Sequence, residues 1–328
     1  MTRRVRLRSL AKINLDLRVL NQRADGFHEL RTVFQTISLA DTIEIEYQPA
    51  RRTVLEIEDR LKIPDNLMLR AARAVMGAMK VSAHVRFRLK KAIPMGAGLG
   101  GGSSNAAAVL LALPVLAGRR VALQKLTNLA SDLGSDVPFF LTGGTALASD
   151  RGTEIHELPE IAEEPILLMC SGLHVATGPA YQALDDRFGG SLTSTALSRK
   201  IIGFQRFVRT LGETRSASAA SAFSANDFEQ VVFGQYPQLK TLRGKLWKTA
   251  EAVRMTGSGS ALFGIYGSVA DRDLARRVLE ADRVFKEWRV IPAKLVSRRS
   301  YRRLWRKQLA EHLGPNESTW PPQSRYER

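Results

Sequence analysis

Along the first fifty residues, hydrophobic and polar positions alternate with a period of two. In KINLDLRVL (residues 12–20), Ile13, Leu15, Leu17 and Val19 share one face while Lys12, Asn14, Asp16 and Arg18 share the other. That spacing predicts a half-buried strand with Lys12 and Asn14 side by side on its non-core face. RVRLRSL (4–10), TIEIEY (42–47) and VRFRLKK (85–91) repeat the pattern. NLMLRAARAVMGAM (66–79) changes to helical spacing. A helix then ends near Gly134, Pro138 bars its continuation, and Gly143-Gly144 marks a turn before the strand TALAS (145–149). The pattern restarts after about residue 157 with a buried strand PILLMC (165–170) and a helix around GPAYQALDDRF (178–188). ETRSASAASAFSAND (213–227), small and polar, predicts an exposed loop. One helix is expected about FEQVVFGQYPQLKTLRGKL (228–246), another in DRDLARRVLEADRVF (271–285), and a last strand in WRVIPAKLVSR (288–298).

Five glycines fall within seven positions from Gly96 to Gly102, between a strand and the alanine-rich helix pattern NAAAVLLAL (105–113). Glycine admits positive φ and lets a ligand approach the backbone. The free N–H groups of a helix's first turn favour an anion. Ser103 and Ser104 stand where the helix cap is expected. A phosphate cradle follows, and valine at Gly100 or Gly101 is expected to fill the phosphate space. Gly96, Gly98 and Gly101 satisfy GxGxxG, yet no acidic residue occurs between Asp65 and Asp132, so the ribose ligand of a dinucleotide fold is missing. A Walker loop would need a lysine at the loop's end, and protein-kinase HRD and DFG sequences are absent.

Charge changes the picture modestly. The 328 residues carry a net charge of +17, and residues 66–131 hold ten Lys and Arg and no acids. This surrounds the glycine loop with positive potential and suits a polyanionic small molecule. No zinc-finger spacing or RNA-binding signature is present, so no nucleic-acid partner is expected, although a basic nucleic-acid-binding protein remains the alternative from another class. No apolar run reaches the ~18 residues of a membrane span, and the basic N-terminus lacks a secretory core, so a cytoplasmic protein without a membrane partner is expected. The single cysteine, Cys170, allows no internal disulfide.

Five stretches taken in order, AKINLDLRV, RADGFHELRTVFQTISLAD, PMGAGLGGGSSNAAA, LGSDVPFFLTGG and MTGSGSALFGIY, resemble the GHMP small-molecule kinases. AKINL together with DGFHEL is similar to the branch that acts on a cytidine diphosphate substrate. The resemblance implies a two-domain α/β fold with a left-handed βαβ unit in its N-terminal half. It implies domains at 1–156 and 157–288, with the last strand near 289–297 joining the first; the basic extension at 298–328 exceeds the family's pattern, and its prolines, Pro315, Pro321 and Pro322, predict partial disorder. ATP would be the phosphoryl donor, with Mg²⁺ expected, held by the loop Pro94, Met95, Gly96, Ala97, Gly98, Leu99, Gly100, Gly101, Gly102, Ser103 and Ser104. Lys12 and Asp136 would be the catalytic pair, with Asn14 at the reacting region and Phe27 and His28 at the cytosine. Metal ligands stay open, with Ser103 and Ser104 as candidates. Phe27 stands where the family usually has tyrosine, and Thr256 where serine is commoner. Another GHMP kinase acting on a different alcohol also stays open.

Overall fold

The structure, a computed structural model, describes residues 1–188, 192–315 and 319–326. Its first half is built from β1 (Arg3–Gln22), β2 (His28–Pro49), β3 (Val54–Asp59), α1 (Leu67–Met79), β4 (Ala83–Lys90), α2 (Gly101–Ala117), α3 (Leu123–Leu133), α4 (Phe139–Thr142), β5 (Thr145–Ser149) and β6 (Glu154–Glu157). The second half holds β7 (Pro165–Cys170), α5 (Thr177–Phe188), α6 (Ser194–Thr214), α7 (Ala217–Ala220), α8 (Glu229–Gln235), α9 (Pro237–Leu246), β8 (Ala252–Met255), β9 (Leu262–Ile265), α10 (Val269–Ala281), β10 (Arg289–Lys294) and α11 (Arg298–Leu309). Strands order as β3-β4-β2-β5-β6 in one sheet, with β1 also on β2, and as β10-β7-β9-β8 in the other. β3 and β4 pair in parallel across α1, while the remaining pairs are antiparallel.

The most consequential departure from simple alternation lies in β1. Its register against β2 slips between Leu10 and Lys12, and again between Asn14 and Asp16. The first slip places two extra residues on β2, since Leu10 faces Ala40 and Lys12 faces Thr36, and the second places one extra residue on β1, since Asn14 faces Phe34 and Asp16 faces Val33. Leu7 and Leu10 pack in the core beneath α2, whereas Ala11, Ile13 and Leu15 pack against Ile166, Leu168 and Phe263 of the second sheet. Lys12, Asn14 and Asp16, expected on a non-core face, are all buried because the strand runs between the two halves.

Four other expectations need correction. Residues 213–227 are not an exposed loop. They form the end of α6, α7 and a short 3-10 turn, followed by the buried Ser224, Asn226 and Asp227. Ser224 donates to Leu15 O at 2.6 Å, and Asn226 Nδ2 donates to Met255 O and Gly257 O at 2.7 and 2.9 Å, so short polar side chains close the seam between halves. The helix expected over 228–246 is divided at Tyr236, because Pro237 fits only a helix's first turn. β10 was expected to join the first half and instead pairs with β7, while the residues at and just beyond its end reach β2 through Lys294 N to Ser38 Oγ, the bridge between Ile37 and Leu295, and Val296 N to Thr36 O. Finally, the basic extension begins as an ordered helix, α11, whose Tyr301, Trp305 and Leu309 join the first core. Beyond it, Trp320 Nε1 donates to Leu141 O and Ser324 Oγ to Val115 O, so the described part of the tail straps onto the first half.

Candidate active site

Two cavities meet at the glycine loop. The smaller, about 390 Å³, is a groove lined by Pro94 to Ser103, Asn66, Lys91 and Asn105. The larger, about 610 Å³, collects Lys12, Asn14, Phe27, His28, Asp136, Arg151, Thr177, Tyr181, Asp185 and Gly257 from both halves. Gly98 lines both.

The groove is a backbone device. Helix α2 starts at Gly101, with Gly100 as its cap in the left-handed region at φ 67°. The expected serine caps are corrected: Ser103 and Ser104 lie inside the first turn. Ser104 Oγ is occupied elsewhere, donating to Leu10 O at 2.6 Å and lying 2.6 Å from Ser9 Oγ. Its hydroxyl is therefore turned to β1, and Ser104 does not line the groove. The expectation for valine at Gly100 or Gly101 also changes. A Cβ at Gly100 would stand 2.9 Å from Phe140 and 3.0 Å from Lys12, and one at Gly101 would stand 2.9 Å from Lys91 Nζ. Both point into protein. At Gly102 the nearest atom is Leu67 Cδ1 at 3.8 Å, so this is the glycine whose side-chain space opens to the groove.

Asp41, unnoticed in the sequence, anchors the loop's entrance. Fully buried, it accepts from Ala92 N, Ile93 N, Asn105 Nδ2 and Lys91 Nζ at 2.8, 2.9, 3.0 and 2.5 Å. In the same groove, Asn66 Nδ2 and Asn105 Oδ1 are buried without a partner among the described residues. Buried polar atoms cost stability unless something bonds them, and a nucleotide offers both donors and acceptors.

The seam between cavities is held by a continuous set of hydrogen bonds. Lys12 N donates to Leu99 O at 3.0 Å, tying the loop to β1. Asn14 N donates to Thr256 Oγ1 at 3.0 Å, Gly257 N donates to Asn14 Oδ1 at 2.9 Å, and Thr256 Oγ1 lies 3.2 Å from Gly98 O. Thr256 thus takes the part of a serine, since the hydroxyl alone is needed. Approach here is so close that a Cβ at Gly98 would stand 2.3 Å from Thr256 O. Lys12 Nζ donates to Asn14 Oδ1 at 2.9 Å and lies 3.3 Å from Asp136 Oδ2, above the Phe34 ring. Asp136 leaves α3 through the turn Val137 N to Gly134 O, and its side chain is 32 % exposed to the larger cavity. The structure therefore brings Lys12, Asn14 and Asp136 together.

At the far end, Phe27 and His28 part company. The Asp25-Gly26 turn presents Phe27 to solvent, 54 % exposed, with the Arg151 guanidinium 4.9 Å from its ring centroid. His28 is buried, its Nε2 2.7 Å from Asp185 Oδ1 and its ring stacked on Tyr181 at 4.7 Å. Burial, with the charge of Asp136 added, pushes the Tyr181 phenol above the usual tyrosine range. It stays a neutral donor at physiological pH. Sequence reasoning missed Tyr181, Asp185 and Arg151; Tyr181 and Asp185 are four apart on α5, which places them on one helical face.

Two family models match, GHMP kinases N terminal domain over residues 66–144 and GHMP kinases C terminal over 206–282. A curated 4-diphosphocytidyl-2-C-methyl-D-erythritol kinase from Solibacter usitatus is 51 % identical over 326 residues, covering 99 % of this chain and 98 % of that one. The chain belongs to the 4-diphosphocytidyl-2-C-methyl-D-erythritol kinase family. It is thereby an ATP-dependent small-molecule kinase of the GHMP type. A crystal structure titled 4-(cytidine 5'-diphospho)-2C-methyl-D-erythritol kinase aligns with a TM-score of 0.70 at 34 % identity, covering 90 % of this chain and 99 % of that one. Mevalonate kinase from Methanococcus jannaschii aligns with a TM-score of 0.64 at 11 % identity, covering 90 % and 98 %, which shows the shared fold alone. Among the described residues, no helix is long and apolar enough to cross a membrane.

Proposed function

We propose that the chain transfers the γ-phosphoryl group of ATP to the 2-hydroxyl of 4-diphosphocytidyl-2-C-methyl-D-erythritol, in the cytoplasm, as a step toward isoprenoid precursors. The carrying observation is the placement of Lys12 and Asp136, 3.3 Å apart, in the larger cavity at the Gly98 seam with the glycine groove. ATP lies in the groove with its phosphates toward the start of α2, and the cytidine end of the acceptor lies toward Phe27, His28 and Tyr181.

Asp136 accepts the proton of the attacking hydroxyl. The oxygen forms its bond to the γ-phosphorus as the bridge to the β-phosphate breaks, and ADP leaves. Lys12, fixed by Asn14 Oδ1, offsets the negative charge that develops on the attacking oxygen. The buried seam aligns the two substrates, which is where positioning lowers a barrier.

Among the described residues no group of three or more His, Cys, Asp and Glu side chains exists that could hold a metal ion. The donor set fits a magnesium ion held mainly by nucleotide phosphates and water, with Ser103 and Asp136 as the nearby oxygen side chains. Such an ion supplies charge neutralisation on the phosphates. The test is ADP release with ATP and magnesium, comparing the cytidine-linked polyol with mevalonate and homoserine. Release with the cytidine-linked polyol alone supports the reading, and preference for another alcohol overturns it.

A further inference from the structure

A polar cleft lies outside the active site, where helix α11 covers the edge of β1 that β2 leaves free. It encloses about 510 Å³ between Arg6, Arg8, Thr42, Leu304, Lys307 and Gln308, none of which lines the glycine groove or the acceptor cavity. Gln308 has a fixed orientation. Its Oε1 accepts from Arg8 N at 2.6 Å, which turns the amide nitrogen the other way. That nitrogen, Nε2, is buried and has no hydrogen-bond partner among the described residues. A buried donor left unbonded costs stability, and an acceptor in the cleft would remove that cost.

The charge of the cleft has one sign. No carboxylate lines it, in contrast to the acceptor cavity with its Asp136 and Asp185. Among the described residues neither Arg8 nor Lys307 enters an ion pair. Arg8 donates to Ser38 O at 3.1 Å, and Arg6 reaches Glu44 at the rim only at 3.8 Å. Three cations held together repel one another until an anion enters. Arg6 and Arg8 are two apart on one face of β1, ~7 Å along the strand, a reach that suits two linked phosphoryl groups. Thr42, opposite Arg8 on β2, adds a hydroxyl. We propose that this cleft is a second anion site, which binds a diphosphate group between Arg6, Arg8 and Lys307 with Gln308 Nε2 as its buried donor.

The test is calorimetric titration of inorganic diphosphate into the full chain, with the glycine groove saturated by an ATP analogue and no added magnesium. Wild type takes up one diphosphate that the analogue does not displace. Gln308→Glu keeps the acceptor for Arg8 N and puts a carboxylate oxygen where the donor stood. It lowers the affinity about tenfold or more, since a charge-assisted bond gives way to repulsion. Lys307→Gln lowers it about two- to fivefold, as suits an exposed charge, and added salt weakens binding to wild type. Kinase turnover, retained in both variants, is the check on folding. Should Gln308→Glu lose turnover, Arg8→Gln decides in its place, with the same tenfold loss expected. Undiminished affinity in these variants overturns the site, as does full displacement of diphosphate by the ATP analogue. Affinity that keeps rising from diphosphate to long polyphosphate overturns it too, because the basic surface at large would then be the binder.

Discussion

The groove and the acceptor cavity share Gly98 but are made of different material. The groove is dominated by one continuous stretch, Pro94 to Ser103, with Asn66, Leu67, Lys91 and Asn105 among the residues that complete its lining. The cavity takes side chains from β1, the turn before β2, the start of β2, the turn after α3, the β5–β6 turn and α5. A main-chain cradle accepts the part of a nucleotide that all nucleoside triphosphates share. A cavity assembled from separate segments can change its ligand by changing one side chain, without disturbing the cradle. On the proposed reading, chemistry stays at the seam and substrate choice lies at the far end of the cavity.

Substitutions can break that division of labour. The largest effect is expected at the seam. Asp136→Asn should reduce kcat by about 10²–10⁴ while the affinity for ATP stays within a few-fold, read by single-turnover kinetics and nucleotide titration. A variant with turnover close to wild type would remove the general base from the account. Next, Phe27→Ala should raise the KM for the cytidine substrate roughly 5- to 150-fold, the range for one aromatic–base stack, with KM for ATP unmoved. Equal changes in both constants would mean that the cavities are not separate. Gly102→Val should do the reverse, weakening ATP about tenfold or more because its side chain enters the groove, with the cytidine substrate's affinity retained.

The smallest effect on activity concerns Asp16, which lines neither cavity. Burial pushes its carboxyl up from 3.8 to about 6, against the pull of the Arg18 guanidinium and the Ala225 N–H. With the folded value raised above the unfolded one, its contribution to stability is complete below about pH 4 and is lost as pH rises through 6. Urea titrations between pH 4 and 7 should therefore show Asp16→Asn losing ground to wild type as the solution is acidified. A pH-independent difference would contradict the burial argument.

Legibility followed the same divide. The glycine loop was readable because backbone conformation leaves its mark in residue type, and Lys12, Asn14, Asp136, Phe27 and His28 stood inside recognisable stretches. What alternation could not show was the slip between Leu10 and Lys12, since a bulge is set by pairing with β2 and leaves the sequence pattern intact. Asp41 was hidden because its four partners come from residues about fifty to sixty positions later, in a region read only as strand, loop and helix. Polar composition misled at 213–227: Ser224, Asn226 and Asp227 are small and polar because they bond main-chain groups inside the seam. Tyr181 and Asp185 needed the docking of α5 over β2, a long-range event with no local signature.

A crystal structure of the complex with a non-hydrolysable ATP analogue and 4-diphosphocytidyl-2-C-methyl-D-erythritol tests the central claim most directly. The account predicts the analogue's phosphates along Gly96 to Gly102, the cytosine against Phe27, and the acceptor's 2-hydroxyl within hydrogen-bond reach of Asp136. The hydroxyl should also lie about 3–3.5 Å from the γ-phosphorus, as a near-attack arrangement requires. Cytosine in the glycine groove, or a 2-hydroxyl turned away from Asp136, would contradict it.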